Sequence, residues 1–188
     1  MKITLTRAQM LEQARIATRM ADLRADCAIE FTDGIDIDVL LAQKLRGRYL
    51  ELLDRGAREL VAADNIAATV SVSADAPGGG VRLTPPAMCR RVFAVKMRGW
   101  ERAAEVLPAS LFRKILSRQL NPYTAATAAN PVAVLDGDSL AGSSPSVVVW
   151  PAIEGDNKTD YFNAATDSGE DFYTFDEAAL PYMLDKLL

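Results

Sequence analysis

The stretch that most constrains this chain is residues 81–107, VRLTPPAMCRRVFAVKMRGWERAAEVL, which puts a turn, two extended runs and the densest positive charge into one segment. Pro85 and Pro86 lack a backbone N–H and fix φ, so the extended run Val81–Thr84 must end there and cannot continue as a central strand. Val92–Met97 is short, β-branched and aromatic, which predicts a second strand, and Arg98-Gly99 predicts a tight reversal before Trp100. Trp100 is expected to anchor the core beside that turn.

The neighbouring residues extend the β reading. Thr69–Ser73 alternates with period two and residues 76–80, APGGG, must turn, so residues 67–84 read as a β-hairpin. Val92–Met97 and Trp100–Val106 read as a second hairpin. Val132–Leu135 and Val147–Trp150, on either side of the polar loop DGDSLAGSSPS, read as paired strands, with Tyr161–Ala165 as another. Between them Pro108–Leu120 is expected to be helical, with Leu111, Phe112, Ile115 and Leu116 on one side and Pro108 near the first turn. An Ala/Thr-rich connector follows over Asn121–Asn130.

The N-terminal third reads differently. Met1–Leu5 is a short extended arm, and Thr6 with Gln9 has capping-box spacing for a helix to about Asp22, with Met10, Ala14, Ala17 and Ala21 on one face. Asp36 is the expected N-cap of the longest periodic segment, which runs to about Ala63 with Leu41, Leu45, Tyr49, Leu52, Leu53, Leu60 and Val61 at three- and four-residue steps. Glu51 with Arg55 and Asp54 with Arg58 are i,i+4 pairs, and Gly47 and Gly56 hint at close packing. Thr174–Glu177 is expected to start a last helix ending at Leu188. At 188 residues and 49% hydrophobic content the chain can bury a real core. The expected fold is one α+β domain: a helical part over residues 1–64, a β-rich part over 65–175 and a closing helix over 176–188. Its N-terminal helices pack on a small antiparallel β-hairpin sheet or sandwich.

Several chemistries are disfavoured. Histidine is absent, which removes the commonest general base and metal ligand. Cys27 and Cys89 show no CxxC spacing, so they read as buried thiols in a reducing compartment, and Cys89 has no base partner despite Arg90 and Arg91 beside it. Asn157-Lys158-Thr159-Asp160 matches the guanine-recognition pattern NKxD, but no GxxxxGK[ST] loop accompanies it and Gly78-Gly79-Gly80 lacks the following lysine, so both read as turns. Asp33, Asp36 and Asp38 do not follow a calcium loop, and Asp167, Glu170 and Asp171 read as a solvated acidic patch. No catalytic, cofactor or metal site is assigned. No leader-like apolar run and no stretch near about 18 apolar residues occurs, so neither secretion nor membrane insertion is expected.

Charge is segregated along the chain. Residues 82–118 carry nine basic and two acidic side chains, whereas residues 119–188 carry two basic and eleven acidic ones, within a net charge of −4. Such halves can neutralise one another within the chain, pair between subunits, or attract nucleic acid locally. Arg90, Arg91, Lys96, Arg98 and Arg102, interleaved with Phe93 and Trp100, are the candidate contact residues. A pI of about 4.9 argues against a dedicated nucleic-acid binder.

The order TPPAMCRRVFAVKMRGWERAAEV, LNPYTAATAANPVAVL, VVVWPA and DYFNAA resembles that of the neck or ring (adaptor, connector) proteins that join head to tail in tailed bacteriophages, particularly the crAss-like gut phage type. The resemblance spans roughly residues 36–188 and rests on Pro85-Pro86, Val92–Met97, Trp100, Pro131-Val132-Ala133 and Tyr161. Ala87-Met88 and Asn130 depart from it. It implies a non-enzymatic virion subunit of a closed ring in the phage neck, present in host cytoplasm during assembly. Its partners would be copies of itself, the portal and other neck or tail proteins, with non-specific proximity to packaged DNA and no membrane. The rival expectation is a cytoplasmic module without enzymatic activity that recognises another protein through its sheet edge. A carboxylate hydrolase is a third.

Overall fold

The computed structural model describes residues 1–18, 37–136, 145–153, 157–185 and 187. The fold is α+β, and its backbone contacts divide it into two compact units, one formed by Met1–Ala62 with Asp167–Leu188 and the other by Ala63–Thr166.

In the first unit, β1 (Lys2–Thr6) pairs antiparallel with β10 (Phe172–Asp176), so the expected N-terminal arm is a sheet strand whose partner lies at the far end of the sequence. Helix α1 (Arg7–Ala17) starts at the predicted capping box: Gln9 N–H donates to Thr6 Oγ1 at 3.2 Å and Thr6 N–H to Gln9 Oε1 at 2.9 Å. The continuation to Asp22 and the Asp36 cap lie outside the described residues. Helix α2 (Ile37–Arg55) buries Leu41, Leu45, Tyr49, Leu52 and Leu53, the predicted stripe. It ends earlier than its periodicity implies. A Cβ on Gly56 would lie 2.4 Å from the Leu52 carbonyl oxygen, so glycine is required where Gly56 N–H closes on that oxygen at 2.8 Å, and the chain leaves the helix there. Leu60 therefore belongs to a 3-10 turn, Arg58–Leu60. Glu51 is met at 3.4 Å by Arg48, three residues before it, rather than by the predicted Arg55, four residues after it.

The expected last helix is also corrected. Thr174 and Phe175 belong to β10; Asp176 Oδ1 accepts from Ala178 N–H at 3.0 Å, and only Leu180–Leu184 forms helix α4. Alternation of Tyr173 and Phe175, both buried, with Phe172 and Thr174 is the strand signal. Helices α1, α2 and α4 pack on one another, with Met10, Ala14, Tyr49, Tyr173, Phe175 and Met183 among the buried side chains.

The second unit is one eight-stranded sheet in the order β2-β9-β5-β6-β7-β8-β4-β3. Its strands are β2 (Asp64–Asn65), β3 (Ser71–Ala76), β4 (Gly80–Thr84), β5 (Cys89–Met97), β6 (Ala104–Leu107), β7 (Val132–Leu135), β8 (Val147–Trp150) and β9 (Thr159–Thr166). The β3–β4 hairpin and the β7–β8 pair match expectation. β5 and β6 pair too, but β6 begins only at Ala104, because Trp100 sits in the turn with its side chain packed inward.

The sheet is larger than the expected hairpin platform and is not wholly antiparallel. β6 and β7 run parallel, a pairing that needs a long crossover, and helix α3 (Phe112–Gln119) lies in that crossover. One helix is thus internal to the β-rich region. A single core cluster gathers Val81 and Leu83 from β4, Ala133, Val147 and Val149 from the middle, and Val95 and Phe162 from β5 and β9. Inner faces from distant strands meet, so the sheet curls around this core. Trp100 is 3% exposed within it and donates its indole N–H to the Pro151 carbonyl at 3.1 Å, as the anchoring expectation requires. The opposite face, with Val134, Val148 and Trp150, is covered by Leu111, Phe112, Ile115 and Leu116 of the crossover. Among the described residues no helix is long and apolar enough to cross a membrane.

Candidate interaction surfaces

The five sequence-predicted contact residues lie on β5 and the turns that follow it, and each has surroundings of its own. Arg91 stacks its guanidinium over Phe93 at 4.9 Å from the ring centroid. Lys96 stands opposite Tyr161 in the β5–β9 ladder, and Arg90 is exposed at the start of β5. Arg98 Nε reaches Asp160 Oδ1 at 3.2 Å, and Arg102 donates to Asn130 Oδ1 at 2.7 Å. The structure gathers them on one strand and its turns but does not leave them as a uniform bare patch.

Part of the charge segregation is resolved within the chain. Asp136 pairs with Arg82 at 3.1 Å, Asp160 with Arg98, and Asp167 with Arg46 through two oxygens at 2.9 and 2.5 Å. Asp167 is therefore a held carboxylate and not a member of a freely solvated patch. The NKTD segment is a connector: Asn157 Oδ1 accepts from Ile153 N–H at 3.2 Å, the Lys158 carbonyl accepts from Arg98 N–H at 2.8 Å, and β9 begins at Thr159.

Two features that sequence reasoning missed stand out. The first is the end of α3. Arg113, Lys114 and Arg118 are exposed on this helix and form no ion pair among the described residues, and no Asp or Glu occurs between Glu105 and Asp136. The helix is followed at once by Leu120, 73% exposed, and Tyr123, 96% exposed. Their backbone is fixed. Asn121 Oδ1 accepts from Tyr123 N–H at 3.0 Å, Thr124 Oγ1 donates to the Arg118 carbonyl at 2.9 Å, and Gln119 Oε1 accepts from Ala126 N–H at 2.8 Å. A hydrogen-bonded turn thus projects an aromatic and an aliphatic side chain into solvent beside exposed positive charge. The Asn-Pro pair at 121–122 within an acid-free stretch was the available signal.

The second is a cavity of about 290 Å³ in the first unit. Ala42 of α2 and Tyr173 of β10, both buried, supply apolar surface, and Val39, half exposed, lies with Gln43 along it. Arg7, Arg46 and Glu170 complete the lining. Tyr173 is held by an edge-to-face contact with Tyr49 at 5.2 Å between centroids. Burial pushes its phenol above the ordinary value, against the opposing pull of Arg46 and Arg7. Behind this wall the Tyr49 hydroxyl accepts from Thr174 N–H at 3.2 Å and lies 3.2 Å from Ser168 Oγ, which donates to Thr174 Oγ1 at 3.0 Å. These bonds order the 167–171 turn, where Gly169 takes φ +91 and its carbonyl accepts from Arg46 at 2.9 Å.

Neither surface assembles a nucleophile with a base. Cys89 is buried and its thiol is pushed up to about 12 by desolvation, which keeps it protonated. Set beside known proteins, the chain matches no protein-family model and no curated protein.

Proposed function

We propose that this chain is a non-enzymatic structural subunit of an oligomeric ring in the neck of a tailed bacteriophage, connecting portal and head to tail. The observation that carries the reading is the α3 end. Side chains as large as Leu120 and Tyr123, exposed on a hydrogen-bonded turn rather than on a loose loop, are what a contact surface needs, because ordering them costs little when a partner arrives. The resemblance over residues 36–188 supplies the specific setting. Val132 and Ala133 of its Pro-Val-Ala element lie on β7 and Tyr161 on β9, two strands of the same eight-stranded sheet with β5 and β6 between them. The test is labelling of purified phage particles with an antibody to this chain, imaged by electron cryomicroscopy. Label at the junction of head and tail is the expected result; particles that lack the chain contradict it.

One observation favours the rival reading of a protein-binding module. β3 ends the sheet order and among the described residues pairs only with β4, and Ser71–Asp75 are exposed, so its outer edge offers a place for an added strand. Capture of a host protein by a monomeric chain would favour that reading.

A further inference from the structure

We propose that Tyr123 of one copy seats in the cavity beside Tyr173 of a second copy, giving a head-to-tail contact in which the α3 end of one sheet unit meets the helical unit of the next. The inference rests on the self-associating role proposed above and specifies the surfaces that carry it.

Four observations converge. The first is shape. Tyr123 is 96% exposed, and its turn is fixed on both sides by side-chain to backbone hydrogen bonds, so it is a preorganised projection. The second is the receiving volume. The cavity holds about 290 Å³, at the lower limit of the roughly 300–1,000 Å³ typical of small-molecule sites, which suits one large side chain better than a cofactor. The third is chemistry: apolar Val39, Ala42 and Tyr173 match a phenol ring, while Gln43 and Glu170 offer acceptors for its hydroxyl.

The fourth is charge. Arg113, Lys114 and Arg118 beside the projection have no acid within the chain segment 106–135. The receiving surface carries exposed Glu170 and Asp171 at its turn; of the two arginines lining the cavity, Arg46 is held by Asp167, which leaves Arg7 against two carboxylates. Opposite signs therefore face one another when different surfaces of two copies meet, the arrangement a heterologous interface uses. A nucleic acid fits less well. Three bases are few, Leu120 adds apolar area that phosphates do not need, and the chain as a whole is acidic.

The test uses the full chain in sedimentation velocity with two surface variants. Tyr123→Ser removes the projection and leaves the receiving cavity intact; Val39→Arg blocks the cavity with a long cation and leaves the projection intact. Circular dichroism checks that both fold. Each variant alone is expected to lose self-association by about 30-fold, the scale of a hot-spot truncation. Mixed, they are expected to form a 1:1 dimer that grows no further, since only one good projection and one good cavity remain. Oligomers of wild-type size in either variant overturn this contact and leave the ring proposal standing. A wild-type chain that never self-associates overturns both. Replacing Tyr123 with a benzophenone photo-cross-linker locates the contact directly: cross-links to residues 37–46 or 167–173 of another copy are expected. Cross-links confined to other segments contradict the proposal. Self-association indifferent to Tyr123, combined with duplex DNA binding lost in an Arg113, Lys114 and Arg118 to Glu variant, reassigns the surface to nucleic acid.

Discussion

Arg82 and Asp136 form an ion pair of 3.1 Å in which the carboxylate is 5% exposed and the guanidinium side chain 35%. Arg82 lies on β4 next to β8, and Asp136 follows β7 with its N–H donating to the Ser146 carbonyl at 2.9 Å. The pair therefore ties three adjacent strands at the point where the polar loop leaves the sheet. Removing one partner of a buried pair strands the other, but solvent reaches Arg82 and reduces the penalty. Asp136→Ala is expected to cost about 1–3 kcal/mol in urea unfolding. Conversely, Arg98→Ala, which breaks a pair exposed on both sides, is expected to cost about 0–1 kcal/mol.

Two glycines give opposite signs. A Cβ on Gly80 would fall 2.5 Å from Trp150 Nε1 and 2.8 Å from Cε2, and the indole cannot retreat because it is buried and bonded to the Pro77 carbonyl at 3.2 Å. Gly80→Ala is expected to destabilise by about 1–3 kcal/mol through overpacking. A Cβ on Gly47, inside α2, meets nothing within 4 Å. The hint of close packing drawn from that glycine is therefore wrong, and Gly47→Ala is expected to stabilise by up to about 1 kcal/mol. Thermal unfolding of the two variants separates them by direction of shift.

The Tyr49 hydroxyl satisfies the Thr174 amide from within the first unit. Tyr49→Phe keeps the ring against Tyr173 but leaves that amide and Ser168 short of a partner. A loss of about 1–2 kcal/mol in chemical unfolding is expected, with faster amide exchange at Thr174. Unchanged exchange there would show that the hydroxyl does not hold the strand.

Cys89 gives the pH dependence its sign. Burial raises its thiol from 9.0 to about 12, so the unfolded chain releases this proton before the folded one does. The contribution to stability is whole below pH 9 and is lost as pH rises from 9 toward 12. Between those limits the wild-type chain is expected to lose stability more steeply than Cys89→Ala. In a Cys27→Ser background, iodoacetamide is expected to label the native chain at pH 8 far more slowly than the unfolded one.

What the sequence made legible follows from how local the signals are. Thr6 and Gln9 lie three residues apart, and the turn glycines 78–80 and the apolar runs 132–135 and 147–150 need only their neighbours to be read, so capping box, hairpin and strand pair were recoverable. The β1–β10 pairing joins Lys2 to Asp176, a relationship that no local window contains. The parallel β6–β7 pairing was hidden for the same reason, and the α2 terminus was missed because the apolar period continues past Gly56. Of the candidate surface, the basic character of residues 82–118 was visible. Its partial neutralisation by Asp136 and Asp160 depended on contacts across 54 and 62 residues, and the projection of Tyr123 from a fixed turn on exposure, neither of which a pattern of residue types encodes.

The most direct test of a contact-forming subunit is native mass spectrometry of the purified full-length chain over a range of concentration and salt. A single species containing several copies, weakened by salt as opposed charges are screened, is the predicted result. A monomer at every concentration contradicts it.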